Sequence, residues 1–185
     1  MLSTSRAKNT FASAIMDAEV LLSLFDSMNS KPPPDSAEVL KRAGLIMALT
    51  AWETYVEDRI REEMHVRLKM ISGSPVGDFV RRRLEDELKR FHNPNTDKTK
   101  RLFQEYAGID VTEFWDWPQF DRARVKKTLD DLIGKRGDAA HRARPVVQGA
   151  PPPHLVRREE LEKAIRFLKA LVDATDRALA THASI

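Results

Sequence analysis

Apolar residues recur at intervals of three or four positions along most of this chain, which is the period of an α-helix. The clearest stripe is formed by Leu45, Leu49, Trp52, Val56, Ile60, Met64, Leu68 and Ile71. Such spacing places the apolar side chains on one face of an amphipathic helix. The segment Asp35-Ser-Ala-Glu38 precedes this stripe and is typical of a capping box, so we predict one long helix from Asp35 to Ile71.

Proline and glycine divide the rest of the chain into further helices. The proline runs at 32–34 and 151–153 cannot continue a helix, because proline lacks the amide hydrogen. Ser74-Pro75 is typical of a helix start, and Gly108 is typical of a helix end. These signals predict helices at about 7–28, 75–91, 98–106, 119–144 and 156–181.

The predicted fold is therefore an all-α bundle of about five main helices, with a loop and a short helix inserted before the helix at 119–144. A chain of 185 residues fits one domain, here 1–185. Trp115 and Trp117 lie in the loop before that helix. We expect both rings to anchor the loop to the core rather than to stack on a base, because buried aromatic rings are commoner.

The composition of the chain excludes several classes of protein and several kinds of functional site. The chain has no cysteine, which excludes disulfides, thiolate zinc sites and cysteine nucleophiles. It has no uncharged apolar run of membrane-spanning length and no secretory signal, so we expect a cytoplasmic protein without a membrane partner. Signatures of phosphate loops, serine hydrolases and zinc proteases are missing as well, and we expect neither a metal nor a cofactor.

Positive charge is concentrated in one segment although the whole chain carries only +3. Between Arg122 and Arg144 there are eight Lys or Arg residues and three Asp residues. Arg136 and His141 in this segment are a candidate pair for RNA cleavage. An imidazole suits proton transfer near neutral pH, and a guanidinium matches the charge and shape of a phosphate.

The spacing of this pair is unfavourable for a site on one helix. Residues five apart are rotated by about 140° around an ideal helix, so Arg136 and His141 do not share a face. Their convergence requires a local distortion, a helix end or a second chain. Gly134 and Gly137 are poor helix formers on either side of Arg136 and are compatible with a distortion. Spacing alone favours a solvated, charged helix end.

The wider context resembles the HEPN family, and most closely its RiboL-PSP-type subgroup. The resemblance covers about Ser36 to Leu179. It is carried by Trp52-Glu-Thr-Tyr55 within a long helix, by Phe114-Trp115, by the helix that runs from Thr128 into the R-x4-H motif at Arg136–His141, and by the closing helix at 158–179.

Membership in that family implies an all-helical bundle that dimerises with its two R-x4-H segments facing each other. It implies a metal-independent endoribonuclease, active in toxin–antitoxin or phage-defence systems, with RNA as substrate. It further implies a cognate antitoxin or a nucleotidyltransferase-type protein as a partner. Arg136 and His141 take the positions of the catalytic pair. A site shared by two chains also removes the geometric objection to their spacing.

Two further residues are supporting candidates by the same resemblance. Many family members carry Asn directly after the arginine, whereas this chain has Gly137 followed by Asp138, so Asp138 or the backbone must substitute or activity is reduced. Glu53 resembles an acidic position of the subgroup and either pairs with Arg136 or is an ordinary exposed glutamate.

Gly137 also favours the alternative of a catalytically inactive HEPN module that binds nucleotide, RNA or a protein. A purely structural helical protein is a third interpretation.

Five basic residues near the motif are candidates for contacts with the RNA backbone. They are Lys126, Lys127, Lys135, Arg142 and Arg144. Lysine and arginine side chains beside a cleavage site neutralise phosphates and so strengthen binding without reading the sequence.

Overall fold

The computed structural model describes residues 4–28, 34, 37–141 and 155–182. These residues form six α-helices: α1 (Arg6–Ser27), α2 (Glu38–Arg67), α3 (Pro75–Leu88), α4 (Thr96–Ala107), α5 (Arg122–His141) and α6 (Arg158–His182). Two short 3-10 helices lie at Lys69–Ile71 and Val111–Phe114. No β-strand occurs in the described part of the chain, and the predicted all-α bundle is confirmed.

Several helix ends follow the local signals in the sequence. Pro75 is the first residue of α3, and the hydroxyl of Ser74 accepts a hydrogen bond from the backbone of the first turn. The side chain of Asn95 caps α4 in the same way. Gly108 ends α4 with a φ of 68°, a left-handed conformation that glycine adopts without strain.

The boundaries of α2 differ from the prediction of one helix from Asp35 to Ile71. α2 begins at Glu38, after Ala37, and no side chain caps it; Asp35 and Ser36 lie outside the described residues. The carboxylate of Glu38 instead accepts hydrogen bonds from the backbone N–H groups of Leu155 and Val156, at 3.0 and 3.4 Å. This buried carboxylate therefore attaches the segment before α6 to the start of α2.

α2 also ends earlier than predicted, at Arg67. The chain continues as the 3-10 turn Lys69–Ile71 and reverses direction at Gly73, whose φ is 80°. The carbonyl of Ile71 accepts a hydrogen bond from the Ser74 amide, which closes this turn. The apolar periodicity continues to Ile71, but α2 ends earlier because the chain reverses direction towards α3.

α5 begins at Arg122 rather than near Gln119. Trp117 and Phe120 exchange two backbone hydrogen bonds of 3.1 and 2.9 Å around a tight turn. Gln119 has a φ of 77° in this turn and cannot be helical. The helix then starts where the carboxylate of Asp121 accepts a hydrogen bond from the Arg124 amide at 2.8 Å. It continues through both glycines to His141 without interruption.

The core surrounds α2, which packs against α1, α4, α5 and α6. Trp52, Tyr55 and Val56 of α2 are fully buried. Trp115 is also fully buried, and its Nε1 donates to the hydroxyl of Thr175 in α6 at 2.9 Å, so its predicted role as a core anchor is confirmed. Trp117 is only half-buried and packs at the edge of the core.

None of the described helices is both long and apolar enough to cross a membrane.

A buried polar network joins three helices at one end of the bundle. The carboxylate of Asp176 in α6 accepts hydrogen bonds from Arg59 Nε at 3.0 Å, from the Ser5 hydroxyl at 2.6 Å and from the Tyr55 hydroxyl at 3.4 Å. Arg59 also donates to Glu63 at 3.3 Å. Burial and the nearby Asp176 carboxylate raise the pKa of Tyr55 well above its ordinary value, so its hydroxyl remains a donor.

Removing the Asp176 carboxylate should destabilise the fold strongly. Asp176→Ala leaves the guanidinium of Arg59 buried without its main counter-charge, and we expect a loss of about 3 kcal/mol or more in the free energy of unfolding, measured by urea denaturation. Asp173→Ala is the matched control, because Asp173 lies on the same helix as Asp176 and forms a more exposed pair with Lys8 of α1. Its cost should stay below about 1 kcal/mol. Equal losses in the two variants would contradict this account of the network.

Candidate functional site

Arg136 is held in a fixed position between α5, α2 and the segment that connects α3 to α4. Its Nη1 atom donates to Glu53 Oε2 at 2.7 Å and to Asn93 Oδ1 at 2.6 Å. Its Nη2 atom donates to Thr50 Oγ1 at 3.2 Å. The Arg136 side chain is 19% exposed and that of Glu53 is 16% exposed. The guanidinium is therefore anchored at the protein surface and only partly accessible.

The helical period of α5 places Arg136 in this position. Val125, Leu129 and Ile133 follow one another at intervals of four residues and pack in or against the core. Arg136 comes three residues after Ile133 and extends the same face beyond its apolar part. On α2, Thr50 and Glu53 flank the buried Trp52. The two helices thus present polar groups to each other where their shared core ends.

The segment His92-Asn-Pro-Asn95 closes the site from a third side. The Trp52 indole donates to the carbonyl of Pro94 at 2.9 Å, and the Asn93 amide donates to Glu53 Oε2 at 3.0 Å. Asn93 has a φ of 53°, a left-handed conformation that asparagine tolerates better than most residues. Anchored in this way, the segment directs the Asn93 side-chain oxygen at Arg136.

Glu53 is the central group of the cluster. One carboxylate oxygen accepts from Arg136 and from the Asn93 amide, while the other lies 3.6 Å from Nδ1 of His92. The His92 side chain is 69% exposed. One turn along α2, burial raises the pKa of Glu57, and the negative charge of Glu53 adds to this effect. Carboxylate, guanidinium, amide and imidazole groups of a single chain therefore meet in one cluster at the protein surface.

A family model described as RiboL-PSP-HEPN matches residues 15–181, a span that runs from within α1 to the last turn of α6 and contains α2 to α5 in full. The chain belongs to the RiboL-PSP-HEPN family. The resemblance inferred from the sequence is thereby confirmed. No curated protein and no solved structure gives a significant match.

The pair that the HEPN motif assigns to catalysis lies on one unbroken helix. His141 is the last residue of α5, about 7.5 Å along the axis from Arg136. The His141 side chain lies outside the described part of the structure, as do Arg142 and Arg144 entirely. Asp138 is exposed on α5, about 200° around the helix from Arg136. It therefore does not share the face on which Arg136 meets Glu53.

Of the two alternatives for Glu53, the structure shows the contact with Arg136, an ion pair of 2.7 Å. Three contributors to the cluster were not among the residues expected from the sequence: Thr50, His92 and Asn93. The His92 side chain is exposed, and it faces Glu53. The only local signal was the sequence His92-Asn-Pro-Asn95, in which asparagine permits an unusual backbone turn.

The three lysines expected to bind RNA each contact a carboxylate. Lys126 donates to Glu113 at 2.9 Å, Lys127 to Asp131 at 2.8 Å and Lys135 to Glu160 at 2.8 Å. Since Lys126 and Lys135 are nine residues apart, they point to opposite sides of α5. The structure therefore does not gather these lysines into one patch.

Two of these carboxylates, those of Glu113 and Glu160, have lowered pKa values. The hydrogen bond and the charge of Lys126 lower the pKa of Glu113. Burial would raise the pKa of Glu160, but hydrogen bonds from the Arg157 amide and from Lys135 outweigh it and lower the pKa. Both groups are therefore ionised at neutral pH, so any anionic ligand would have to compete with them for the lysines. Within the described residues, no three His, Asp or Glu side chains are grouped so that they could hold a metal ion.

The contact between Glu53 and Arg136 should contribute measurably to stability. A double-mutant cycle with Glu53→Gln and Arg136→Gln, followed by urea denaturation, should give a coupling energy of about 1 kcal/mol or more, because the pair is short, charged and half-buried. Lys127→Gln with Asp131→Asn is the control cycle on the same helix. That pair is 76% and 60% exposed and should couple by about 0.5 kcal/mol or less. Coupling of equal size in both cycles would contradict a specifically anchored Arg136.

Proposed function

We propose that this HEPN protein is a metal-independent endoribonuclease that cleaves RNA by attack of the 2′-hydroxyl on the adjacent phosphate. Arg136 and His141 are the catalytic pair, in a composite site formed by a homodimer. The observation that carries this proposal is the anchored guanidinium of Arg136, which is held by Glu53, Asn93 and Thr50 at the end of the shared core.

An anchored guanidinium suits the transition state of this reaction. Negative charge builds on the oxygens around phosphorus as the 2′-oxygen attacks, and a fixed cation stabilises that charge without reorganising. Guanidinium also matches the geometry of phosphate oxygens. Glu53 and Asn93 position Arg136 through its Nη1 atom, and the carboxylate of Glu53 balances its charge before RNA binds.

The proton transfers are assigned to His141. Removal of the proton from the 2′-hydroxyl and donation of a proton to the departing 5′-oxygen need groups that exchange protons near neutral pH, and imidazole is such a group. The products would be a 2′,3′-cyclic phosphate and a 5′-hydroxyl. No metal ion is needed to activate a water molecule, because the nucleophile belongs to the RNA itself.

The continuity of α5 supports a site shared between two chains. Gly134 and Gly137 do not interrupt the helix, so Arg136 and His141 remain about 140° apart around its axis. A distortion at the glycines would have allowed both residues of one chain to act together. Two chains with facing α5 ends would bring Arg136 of one towards His141 of the other.

A second candidate function is that of a catalytically inactive HEPN module that binds nucleotide, RNA or a protein. Two observations favour it. Gly137 is exposed, and a side chain there would meet open space, so the position after Arg136 contributes no polar group although it has room for one. The three lysines of α5 are also paired with carboxylates, which weakens their attraction for RNA. Both proposals include a place in a toxin–antitoxin or phage-defence system. They also include a cognate antitoxin or a nucleotidyltransferase-type protein as partner, and a cytoplasmic location.

Purified full-length protein should cleave single-stranded RNA in excess EDTA and leave 2′,3′-cyclic phosphate ends. His141→Ala should reduce the cleavage rate by roughly 100-fold or more, because it removes the proton-transfer group. His65→Ala, at an exposed histidine of α2, is the matched control and should cleave at the wild-type rate. Wild-type activity in His141→Ala would reject the assignment of the site. Salt-sensitive RNA binding by the wild type without cleavage would favour the inactive module.

A mixing experiment separates a shared site from a site within one chain. Arg136→Gln and His141→Ala should each be inactive alone. Mixed after partial unfolding and refolding together, they form heterodimers in which Arg136 of one chain faces His141 of the other. One composite site is then intact, and cleavage should reappear, measured with a labelled RNA. Inactivity of the mixture, with heterodimers demonstrated by mass spectrometry, would place both residues in the same chain.

A further inference from the structure

A groove lies between α5, α6 and the turn at 116–121, on the side of α5 that faces away from Glu53. Its volume is roughly 690 Å³. Its floor contains the rings of Trp117, Phe120 and Phe167, and its rim carries Arg124, Lys135, Lys163 and Arg166. An aromatic floor with a cationic rim is the combination that single-stranded nucleic acids require.

The aromatic groups of the groove are held rigidly. The Trp117 and Phe120 rings are stacked with their centres 5.4 Å apart and an angle of 29° between their planes. Phe167 of α6 lies 5.8 and 5.7 Å from these two rings. The two backbone hydrogen bonds between Trp117 and Phe120 fix the turn. The guanidinium of Arg124 lies 4.6 Å from the centre of the Phe120 ring, so a column of flat groups borders the groove.

The groove has cations that are not neutralised. Among the described residues, neither Lys163 nor Arg166 has an ion-pair partner, and both are exposed. Arg124 donates to a backbone carbonyl rather than to a carboxylate. The two carboxylates in the lining, Asp131 and Glu160, already contact Lys127 and Lys135. The groove therefore carries an excess of positive charge that complements phosphate.

The groove leads to the candidate catalytic position. Arg124 and Lys135 line it and are eleven residues apart, which corresponds to about 16 Å along α5. Lys135 immediately precedes Arg136, so the groove ends on the turn of α5 that carries the anchored guanidinium.

We propose that this groove binds a nucleotide of the RNA strand next to the cleavage point. The base stacks on the Trp117–Phe120 column, and the flanking phosphates contact Lys163, Arg166 and Arg124. This inference rests on the proposed function, because it takes RNA as the substrate. Stacking on the faces of rings holds any base, so we expect the groove to contribute affinity rather than sequence preference. Charge complementarity favours an RNA strand over a second copy of this chain, which carries the same positive charge on this surface.

The test measures binding apart from cleavage. Full-length Arg136→Gln protein is used as the background, and its affinity for a fluorescein-labelled decamer of adenylate is measured by fluorescence anisotropy at several salt concentrations. Trp117→Leu keeps an apolar side chain but removes the stacking ring, and we expect binding to weaken by roughly tenfold. Lys163→Gln with Arg166→Gln should weaken it by a similar factor. For single strands, the loss of two phosphate contacts should also flatten the slope of log affinity against log salt by about 1.4.

Lys169→Gln is the matched control, since Lys169 also lies on α6 but pairs with Glu19 away from the groove. It should bind RNA like the background protein. Unchanged affinity and unchanged salt slope in the Lys163→Gln, Arg166→Gln variant would overturn the inference. This double variant changes only exposed side chains, so it remains informative if Trp117→Leu fails to fold. A change of oligomeric state in sedimentation, with RNA affinity unaltered, would instead assign the groove to contacts between copies and also overturn it.

The two proposals fail in different ways. If the wild type cleaves RNA and the groove substitutions change neither binding nor the cleavage rate, the groove assignment is wrong and the nuclease proposal stands. If no protein cleaves RNA but the groove substitutions weaken binding as expected, the nuclease proposal is wrong and the groove assignment stands.

Discussion

The central position of α2 is the constraint on which the rest of the structure depends. Four helices pack on it, so its faces are committed to the core along most of its length. Trp52 and Glu53 are adjacent, yet the first is fully buried and the second reaches the surface cluster. The Trp52 indole holds the Pro94 carbonyl, and this same segment presents Asn93 to Arg136. Core packing and the geometry of the candidate site are therefore set by the same turn of one helix.

Charge in this molecule is balanced locally rather than left free, and this affects how it can bind RNA. Arg136 pairs with Glu53, Lys126 and Lys135 pair with carboxylates on neighbouring elements, and Lys127 pairs with Asp131 within α5. A phosphate that approaches these groups must compete with an existing partner, so the basic segment counts for less than its composition suggests. Lys163 and Arg166 lie on a helix with little net charge, but they lack such partners among the described residues. Local pairing, rather than the number of basic residues, decides where anionic ligands are attracted.

Sequence periodicity predicted the helices because it depends on neighbouring residues only. Ser74, Asn95 and Gly108 end or begin helices through contacts within one turn. The early end of α2 and the late start of α5 depend on how the chain must reverse towards the next helix, and residue spacing does not contain that information. The family resemblance offered a contact between Glu53 and Arg136 as one of two alternatives for Glu53. Asn93 and His92 join this pair through a loop whose path is set by the Trp52 indole. Contacts of this kind link residues about 40 positions apart, so no pattern of neighbouring residues in the sequence predicts them.

α5 presents different chemistry on each side because its residues are separated by about 100° per position. Lys135 faces α6 and the groove, whereas the next residue, Arg136, faces α2. A strand that follows the groove and bends around this turn would therefore meet an anchored guanidinium one residue after leaving the rim. The rigid helix fixes the spacing between the groove that we propose binds a base and the guanidinium that we propose binds a phosphate. That fixed spacing gives a reason for an unbroken helix through Gly134 and Gly137, since a distortion there would separate the two surfaces.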